Sequence, residues 1–289
     1  MATLAQSRPV SGYTTARQQL GSTLKYVGLA LLTLLWLLPV LAALVTSFRT
    51  MDDISLSGFW SIPASLTLRN FQRAWVDAQV NKYLLNSFII TIPSLFGMLF
   101  LSSLSAYALA RFKFRGNLLI YFMYVAGTML PFQILLLPVF RLTNSLGLYN
   151  TYGSLILIHT AFQLGFCTFV LRNFMRTVPG EILDAARVDG CGEFRIYWQI
   201  MLPLTLPALA ALATLEFTWV FNDYLWAIIL LQSDSLRPVT AGLATLRGQY
   251  NTDWPVITAG ALLATLPTLI VFVFLQRYFI QGLTLGSGK

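Results

Sequence analysis

The sequence predicts an all-α integral membrane protein with six transmembrane helices. Of its 289 residues, 56% are hydrophobic and 10% are charged, whereas about a quarter of the residues of a soluble domain carry a charge. The apolar residues gather in six runs, each close to the roughly 20 residues with which a helix crosses the hydrocarbon core. The net charge of +8 comes from basic residues between those runs, where they set orientation and contact lipid headgroups. Membrane lipid is therefore an expected partner, and nucleic acid is not.

The six predicted spans follow one another along the chain. They cover residues 26–48, 84–110, 118–140, 152–171, 206–231 and 259–280. The first run is too long for the hydrophobic region of a signal peptide, and no small-residue cleavage site follows it. In the second span, Ser102, Ala106 and Ala110 have the small-residue spacing that permits close helix packing. The predicted units are an N-terminal cytoplasmic tail over 1–25, a six-helix transmembrane domain over 26–281 with a cytoplasmic loop at about 172–205, and a C-terminal cytoplasmic tail over 282–289.

The distribution of Lys and Arg predicts which side of the membrane each connection faces. Twelve of the 19 basic residues lie in the two tails and in the second and fourth connections, and seven lie in the other three connections. Because cytoplasmic connections carry the excess of Lys and Arg, both termini and the fourth connection are predicted to be cytoplasmic. The two long outer connections, 49–83 and 232–258, mix aromatic with polar residues. That composition suits either contact with a soluble partner or packing over the helix ends.

The fourth connection differs from the rest of the chain, because six charged residues and two glycines lie between positions 181 and 195. A short helix over Glu181–Asp189 is predicted, since acidic residues in a first turn interact favourably with the helix dipole. Gly190 follows at a position where a helix end often needs the left-handed backbone that glycine adopts without strain. A second helix, over about Glu193–Met201, is predicted to end at Pro203 and to lead into the fifth span.

Three groups of residues in this loop keep a fixed register: Asp184-Ala185-Ala186, then Gly190, then Ile200-Met201-Leu202-Pro203. This arrangement resembles the EAA loop, the signature of the membrane subunits of binding-protein-dependent ABC importers. Asp184 stands where glutamate is usual, which keeps the charge on a shorter side chain, and Cys191 stands where alanine is usual. The two alanines leave part of the surface small enough for another protein to approach closely.

The resemblance extends to the maltose-type, carbohydrate-importing branch of these permeases, and it covers nearly the whole chain after the first 25 residues. The matching stretches are KYLLNSFIIT (82–91), AYALARFKFRG (106–116), MLPFQILLLPVF (129–140), LGLYNTYGSLIL (146–157), FNDYLWAIILL (221–231) and GLTLGSGK (282–289). The resemblance implies the type I ABC importer permease fold, with six helices in a prokaryotic inner membrane.

The resemblance also implies a non-catalytic subunit of an ATP-driven importer, which forms half of the translocation path for a sugar or sugar-like solute. The implied partners are a second permease subunit, a dimer of ATP-binding subunits and an extracytoplasmic solute-binding protein. The chain itself is expected to bind no cofactor, because ATP and Mg belong to the partner ATPase. The residues implied in coupling to that ATPase are Glu181, Asp184, Ala185, Ala186, Asp189, Gly190, Ile200, Leu202 and Pro203. The sequence has no phosphate-binding loop of its own, since GSGK at 286–289 lacks both the leading glycine in register and a following Ser or Thr.

The fifth span contains the only two acidic residues that fall inside a predicted span, Glu216 and Asp223. Each costs about 2.5–3.5 kcal/mol near the bilayer centre, so this helix needs protein or water around its acidic face. On one continuous helix, that face would consist of Glu216, Val220, Asp223 and Ala227, with Trp219 and Trp226 at its edge and Asn222 nearby.

Two interpretations of this face are open. Carboxylates accept hydrogen bonds from hydroxyl groups, and aromatic rings pack on the apolar faces of sugars. The first interpretation is therefore a translocation path that consists of Glu216, Trp219, Asn222, Asp223 and Trp226. The second is a polar clamp that holds the partner permease, because acids that face a helix bundle serve both purposes.

An ion-coupled secondary carrier is the alternative function, since it would need no ATPase and would transport its solute by itself. The sequence shows no repeated half, however, and the common carrier designs duplicate a set of helices. A membrane enzyme is disfavoured because the sequence contains neither a nucleophile–base pair nor a cluster of metal ligands. His159 begins an apolar run and is expected to be a packed structural histidine.

The predicted topology places Arg115, Arg187 and Lys289 in the cytoplasm, and Arg73 and Arg247 outside. We expect single cysteines at these positions, in a chain without its native cysteines, to react with an impermeant thiol reagent on intact cells at 73 and 247 alone. Permeabilised cells are the control, because the cytoplasmic positions then react as well. Strong labelling at 187 from outside intact cells would contradict the orientation.

Overall fold

The computed structural model describes residues 16–246 and 252–285, and the side chains of residues 21–246 and 252–276. Within these ranges the chain forms thirteen α-helices and no strand, so the predicted all-α class is confirmed. The helices are α1 (Ala16–Ser47), α2 (Met51–Ser57), α3 (Arg69–Val76), α4 (Val80–Arg111), α5 (Asn117–Met129), α6 (Leu136–Ser145), α7 (Tyr152–Thr177), α8 (Gly180–Val188), α9 (Glu193–Ile196), α10 (Leu202–Phe221), α11 (Leu225–Leu230), α12 (Val239–Thr245) and α13 (Trp254–Leu285). Arg247, Lys289 and the first 15 residues lie outside the described residues.

Five helical segments are long and apolar enough to cross a membrane. They are Gly21–Ser47, Val80–Arg111, Tyr152–Thr177, Glu193–Phe221 and Trp254–Gln276. Each overlaps one of the six predicted spans, so a helix of membrane-spanning length is confirmed in five of those spans. α1 already begins at Ala16, inside the stretch predicted as a tail, and α13 continues to Leu285, past the predicted end of the transmembrane domain.

The third predicted span, residues 118–140, is wrong as a single straight helix. α5 ends at Met129, and the helical segment Phe132–Ser145 continues at an angle of 92° to it. Leu130 adopts extended backbone, with φ −71° and ψ 126°, because a following proline clashes with helical backbone at the residue before it. Pro131 therefore divides this apolar run into two short segments.

The C-terminal end of the fifth predicted span, residues 206–231, is also wrong. α10 stops at Phe221, and residues 222–224 leave the helix before α11 begins at Leu225. Two of these three residues are Asn222 and Asp223, whose short polar side chains compete with the helix for backbone hydrogen bonds. The apolar run is long enough for one helix, but this polar pair interrupts it.

The N-terminal end of the same span contradicts the prediction that a separate helix ends at Pro203. α9, a π-helical turn over Tyr197–Met201 and α10 form one continuous segment instead. The Leu202 N–H bonds to the Tyr197 carbonyl, five residues back, as a π turn requires. Pro203 lies in the first turn of α10, directly after this π turn.

The centre of the bundle is formed by α4, which packs along α7, and by α10, which contacts both. Ser102 and Ala106 of α4 are fully buried, and Ser102 Oγ donates a hydrogen bond to the Leu164 carbonyl at 3.3 Å. The predicted close packing at the small residues of the second span is thereby confirmed. α13 packs on α10 and α3, while α1 contacts α13 and leaves most of its apolar surface exposed, as expected of a helix that faces lipid.

Polar side chains fix the described parts of the two long connections, 49–83 and 232–258, over the ends of the helices. Arg49, just after α1, is fully buried, and its Nε donates to Asp53 Oδ2 at 2.7 Å. This hydrogen bond lowers the pKa of the Asp53 carboxyl. In α4, Asn86 donates to the carbonyls of Ser235 and Arg237, at 2.9 Å each. The described parts of both connections are therefore packed over the helix ends, with α2, α3 and α12 as their own secondary structure.

The closest approach of α5 and α7 yields a prediction about stability. A Cβ atom added at Gly165 of α7 would lie 2.7 Å from the Tyr124 carbonyl oxygen, whereas one added at Gly127 of α5 would meet nothing within 4 Å. We expect Gly165→Ala to destabilise the protein by about 1–3 kcal/mol through overpacking. The matched control Gly127→Ala should be neutral or stabilising by up to about 1 kcal/mol, because alanine has the higher helix propensity.

Thermal unfolding in detergent measures both effects. Equal stability of the two variants would contradict the close approach of Gly165 to the Tyr124 carbonyl.

Candidate functional site

The 172–205 loop contains α8, which confirms the short helix predicted over residues 181–189. The helix has one inward face, where Leu183 and Ala186 are buried against the bundle. Its outward face carries Glu181, Asp184, Ala185 and Asp189. The expectation that both alanines form a small outward surface is wrong for Ala186, which packs inward because its position follows Leu183 by three residues on the same face.

Gly190 ends α8 in the left-handed conformation, with φ +80°, as predicted. The Gly190 N–H donates to the Arg187 carbonyl at 3.0 Å, and the Cys191 N–H donates to the Ala186 carbonyl at 2.9 Å. These two bonds form a Schellman motif, which satisfies carbonyls that the end of a helix would leave unpaired. The turn from α8 to α9 therefore depends on a residue without a Cβ atom.

A network of charged and hydroxyl groups holds the loop against α4. Arg187 donates to Asp184 Oδ1 at 2.7 Å and to Glu193 Oε1 at 2.8 Å, so it joins α8 to α9. Glu193 Oε2 in turn accepts a hydrogen bond from the hydroxyl of Tyr107, at 2.8 Å. The loop is thus connected through one carboxylate to the end of a central transmembrane helix.

A second hydroxyl contact lies beside the first. The Tyr197 hydroxyl and Ser103 Oγ are 2.6 Å apart, and both side chains are buried. The rings of Tyr107 and Tyr197 pack with their centroids 5.3 Å apart. The π turn is therefore fixed to α4 by side chains.

Sequence reasoning did not select Arg187, Glu193 or Tyr107 as site residues. The Asp184–Arg187 pair has the (i, i+3) spacing of a helical ion pair, so that contact had a signal in the sequence. Tyr107 lies 86 residues from Glu193, and no local pattern connects the two.

The C-terminal part of the loop signature falls on the π turn and on the first turn of α10. Ile200 and Leu202 are half-buried there, and Pro203 is exposed. The N-terminal part of the signature lies on α8. The structure therefore distributes the predicted coupling residues over two helical segments that meet at the Arg187–Glu193 ion pair.

The acidic face predicted for the fifth span is not one continuous helical face, because α10 ends before Asp223. The Asp223 carboxylate instead accepts hydrogen bonds from the backbone N–H groups of Trp226, at 3.4 Å, and Ala227, at 3.2 Å. It thus satisfies the free N–H groups at the start of α11. Glu216, in α10, is 1% exposed, and its Oε2 has no hydrogen-bond partner among the described residues.

The two tryptophans at this break occupy different environments. Trp219 is 61% exposed, and Asn222 beside it is exposed as well. Trp226 is 6% exposed and packs against Phe132 and Phe162, with ring centroids 6.3 and 5.4 Å away. The structure therefore separates the five predicted path residues into an exposed pair and three that are enclosed by the chain.

His159 packs beside this break, as expected of a structural histidine. It is 3% exposed, and its Nε2 lies 3.7 Å from Asp223 Oδ2. The histidine therefore lies close to the carboxylate that caps α11.

Comparison with known sequences relates the chain to transport proteins. Residues 98–285 match the family described as "Binding-protein-dependent transport system inner membrane component". The chain is 36% identical to the arabinooligosaccharides transport system permease protein AraQ of Halalkalibacterium halodurans, over 93% of this chain and 96% of that protein. It is 32% identical to the melibiose/raffinose/stachyose import permease protein MelC of Bacillus subtilis, over 87% of this chain and 91% of that protein.

Comparison with solved structures supports the fold. A chain of a bacterial ABC transporter involved in the import of the acidic polysaccharide alginate superimposes with a TM-score of 0.84, over 93% of this chain and 100% of that chain, at 20% identity. A chain of a bacterial alginate ABC transporter, in complex with an alginate pentasaccharide-bound periplasmic protein, gives a TM-score of 0.66 over 91% and 96%, at 14% identity. The architecture described above is therefore that of a known importer subunit.

Proposed function

Because the chain belongs to the family of inner membrane components of binding-protein-dependent transport systems, we propose that it forms half of the translocation path for a sugar or sugar-like solute. The family match gives no support to the ion-coupled secondary carrier considered from the sequence. The observation that carries the proposal is the loop over residues 172–205, in which an exposed helix is joined by an ion pair and a hydrogen bond to the transmembrane bundle.

The proposed partner of this loop is a separate ATPase, which hydrolyses ATP with Mg while this chain performs no catalysis. The outward face of α8, with Glu181, Asp184, Ala185 and Asp189, has the polar and small side chains that suit docking into a groove of another protein. Ala186 packs behind that face against the bundle, and Gly190 ends the helix that carries it. A dimer of ATP-binding subunits would engage this loop and the corresponding loop of a second permease subunit.

The proposed coupling runs from α8 into the bundle. A movement of α8 pulls on Glu193 through Arg187, and Glu193 is the first residue of the segment that continues through the π turn into α10. Because Ile200, Leu202 and Pro203 lie on that continuous segment, a displacement of the loop displaces the fifth span with it. This linkage converts closure of the ATPase into a rearrangement of the translocation path.

The sugar class of the solute is supported by the exposed pair at the end of α10. The flat face of Trp219 can pack on the apolar face of a sugar ring, and the Asn222 amide can exchange hydrogen bonds with its hydroxyl groups. We assign the enclosed members of the predicted path to positioning this pair. Among them, Asp223 caps α11, and Glu216 lies buried on α10. Trp226 packs against Phe132 and Phe162 beside the break between α10 and α11.

The remaining proposed partner is an extracytoplasmic solute-binding protein, which would dock on the outer connections. The first of those connections, residues 49–83, exposes several large apolar side chains, namely Trp60, Ile62, Leu66 and Leu68. Exposed apolar surface suits contact with another protein. The proposed topology, with both termini cytoplasmic, gives this surface the orientation that a periplasmic or external partner needs.

The Gly190 turn yields the first prediction for function. Gly190→Val should strain the left-handed turn by about 1–2 kcal/mol or more, and we expect substrate-stimulated ATP hydrolysis and uptake to be lost while membrane insertion is retained. Gly192→Val is the matched control, because Gly192 has φ −73° and, like Gly190, has nothing within 4 Å of an added Cβ. Uptake by Gly190→Val at the wild-type rate would contradict the coupling function of the loop.

The two tryptophans at the helix break yield the second prediction. Trp219→Ala should leave the stability and the assembly of the complex unchanged, but reduce uptake or change the range of solutes. Trp226→Ala should destabilise the protein by about 3–5 kcal/mol, because it removes a buried ring from the bundle. Thermal unfolding and uptake by the assembled complex measure the two effects separately.

Asp223→Asn is the companion variant, since asparagine still caps a helix while it removes the charge. If Trp219→Ala and Asp223→Asn both prevent assembly with the partner subunits, these residues form a polar clamp and the proposed path is wrong.

A further inference from the structure

A basic cleft lies where α4 ends, α5 begins and α7 passes both. Its volume is about 650 Å³. The residues that matter for its chemistry are four cations, Lys113, Arg115, Arg172 and Arg176. Exposed apolar side chains stand beside them, and the first turn of α5 forms one wall.

The four cations have no acidic partner in the described structure. Lys113, Arg115, Arg172 and Arg176 form no ion pair within residues 21–246 and 252–276, which are the side chains that the structure describes. The sequence explains why, because no Asp or Glu occurs between positions 77 and 181. The helices α4, α5 and α7 therefore bring no carboxylate to the cleft.

Arg172 is the cation for which this absence matters most, because it is 7% exposed. Its Nε donates to the Leu109 carbonyl at 3.3 Å, and its guanidinium carbon lies 3.9 Å from the centre of the Tyr121 ring. Its two terminal nitrogens donate no hydrogen bond to the described residues. Because Arg172 lines the cleft, these two nitrogens are available to donate to an anion bound there.

Arg111, the neighbouring cation, is already engaged and does not belong to this group. Its Nη2 donates to the carbonyls of Met175 and Val178, the latter at 2.7 Å. These bonds tie the end of α4 to the end of α7. They hold two walls of the cleft together and leave the other four cations facing the open space.

The position of the cleft along the helices indicates the kind of anion. The apolar part of α4 ends at Ala110, which lines the cleft, and the end of an apolar stretch is the level at which a transmembrane helix meets the lipid headgroups. Phe112, Phe114, Leu118 and Leu119 line the same cleft and are exposed. Apolar side chains beside a group of cations match a ligand that has an anionic headgroup and hydrocarbon chains.

We propose that this cleft is a binding site for an anionic phospholipid. The headgroup phosphate accepts hydrogen bonds from Arg172 and from the exposed cations, and the acyl chains lie along the exposed apolar side chains. The first turn of α5 contributes the positive end of its helix dipole. Basic pockets at helix ends bind anionic lipid headgroups for the same electrostatic reasons. The bound lipid braces the end of α7, three residues before α8 begins.

Native mass spectrometry of the full chain in detergent tests the proposal. Phosphatidylglycerol and phosphatidylcholine with identical acyl chains compete at equal concentration, and we expect about a tenfold or greater preference for phosphatidylglycerol. The triple variant Lys113→Gln, Arg115→Gln, Arg176→Gln should lose that preference, and its three side chains are exposed, so folding is retained. The matched control replaces Arg69, Arg141 and Arg195, which are exposed outside the cleft, and it should retain the preference.

A second measurement examines the buried arginine. Phosphatidylglycerol should raise the thermal unfolding temperature of the wild type but not that of Arg172→Met, which removes the charge and keeps an apolar side chain of similar length. Equal binding of the two lipids overturns the proposal, as does an unchanged preference in the triple variant. Equal stabilisation by inorganic phosphate would mean a site for free anions. Loss of the lipid when the chain assembles with its ATP-binding subunits would mean that an acidic protein surface occupies the cleft.

Discussion

Inside the hydrocarbon core no water is available, so each backbone N–H and C=O group there needs a partner within the protein. Long helices satisfy this constraint, and five of the six apolar runs contain a helix that is long enough to cross the membrane. The constraint also governs where the chain can leave the helix. At the end of α10, the Asp223 carboxylate accepts from the N–H groups of Trp226 and Ala227, and Thr240 donates to the Asp223 carbonyl. The most polar stretch of the fifth run is therefore also the place where its backbone needs side-chain partners.

Hydropathy and glycine positions were sufficient to predict most of the helices and the turn at Gly190, because apolar length and left-handed backbone are local properties. The break at Pro131 was missed for a definite reason. Pro39, Pro93, Pro207 and Pro267 all stand inside uninterrupted helices of this chain. A proline in a membrane span therefore does not by itself identify a break in the helix.

The site was predicted in part, and the missing part is the non-local one. The outward residues of α8 follow from the loop signature, but the contacts that hold the loop do not. Glu193 reaches Tyr107 across 86 residues of sequence, and Tyr197 reaches Ser103 across 94. The burial of Ala186 likewise depends on the part of the bundle against which α8 packs. Pairing of this kind is a property of the folded bundle, so a single sequence contains no pattern from which to infer it.

The continuous segment Glu193–Phe221 connects the two regions proposed as functional, which are the loop around α8 and the end of α10. At 1.5 Å per residue, its 29 residues extend about 40 Å. One end is held to α8 by Arg187 and to α4 by Tyr107, so a tilt of α8 relative to α4 acts directly on that end. Beyond the π turn, α10 would carry such a displacement along its length, because bending a helix strains several of its backbone hydrogen bonds at once. α10 ends at Phe221 with Asn222 as its C-cap, and Trp219 lies in the last turn before that end. The proposed coupling at the loop and the proposed contact with the solute therefore lie at opposite ends of one continuous helical segment.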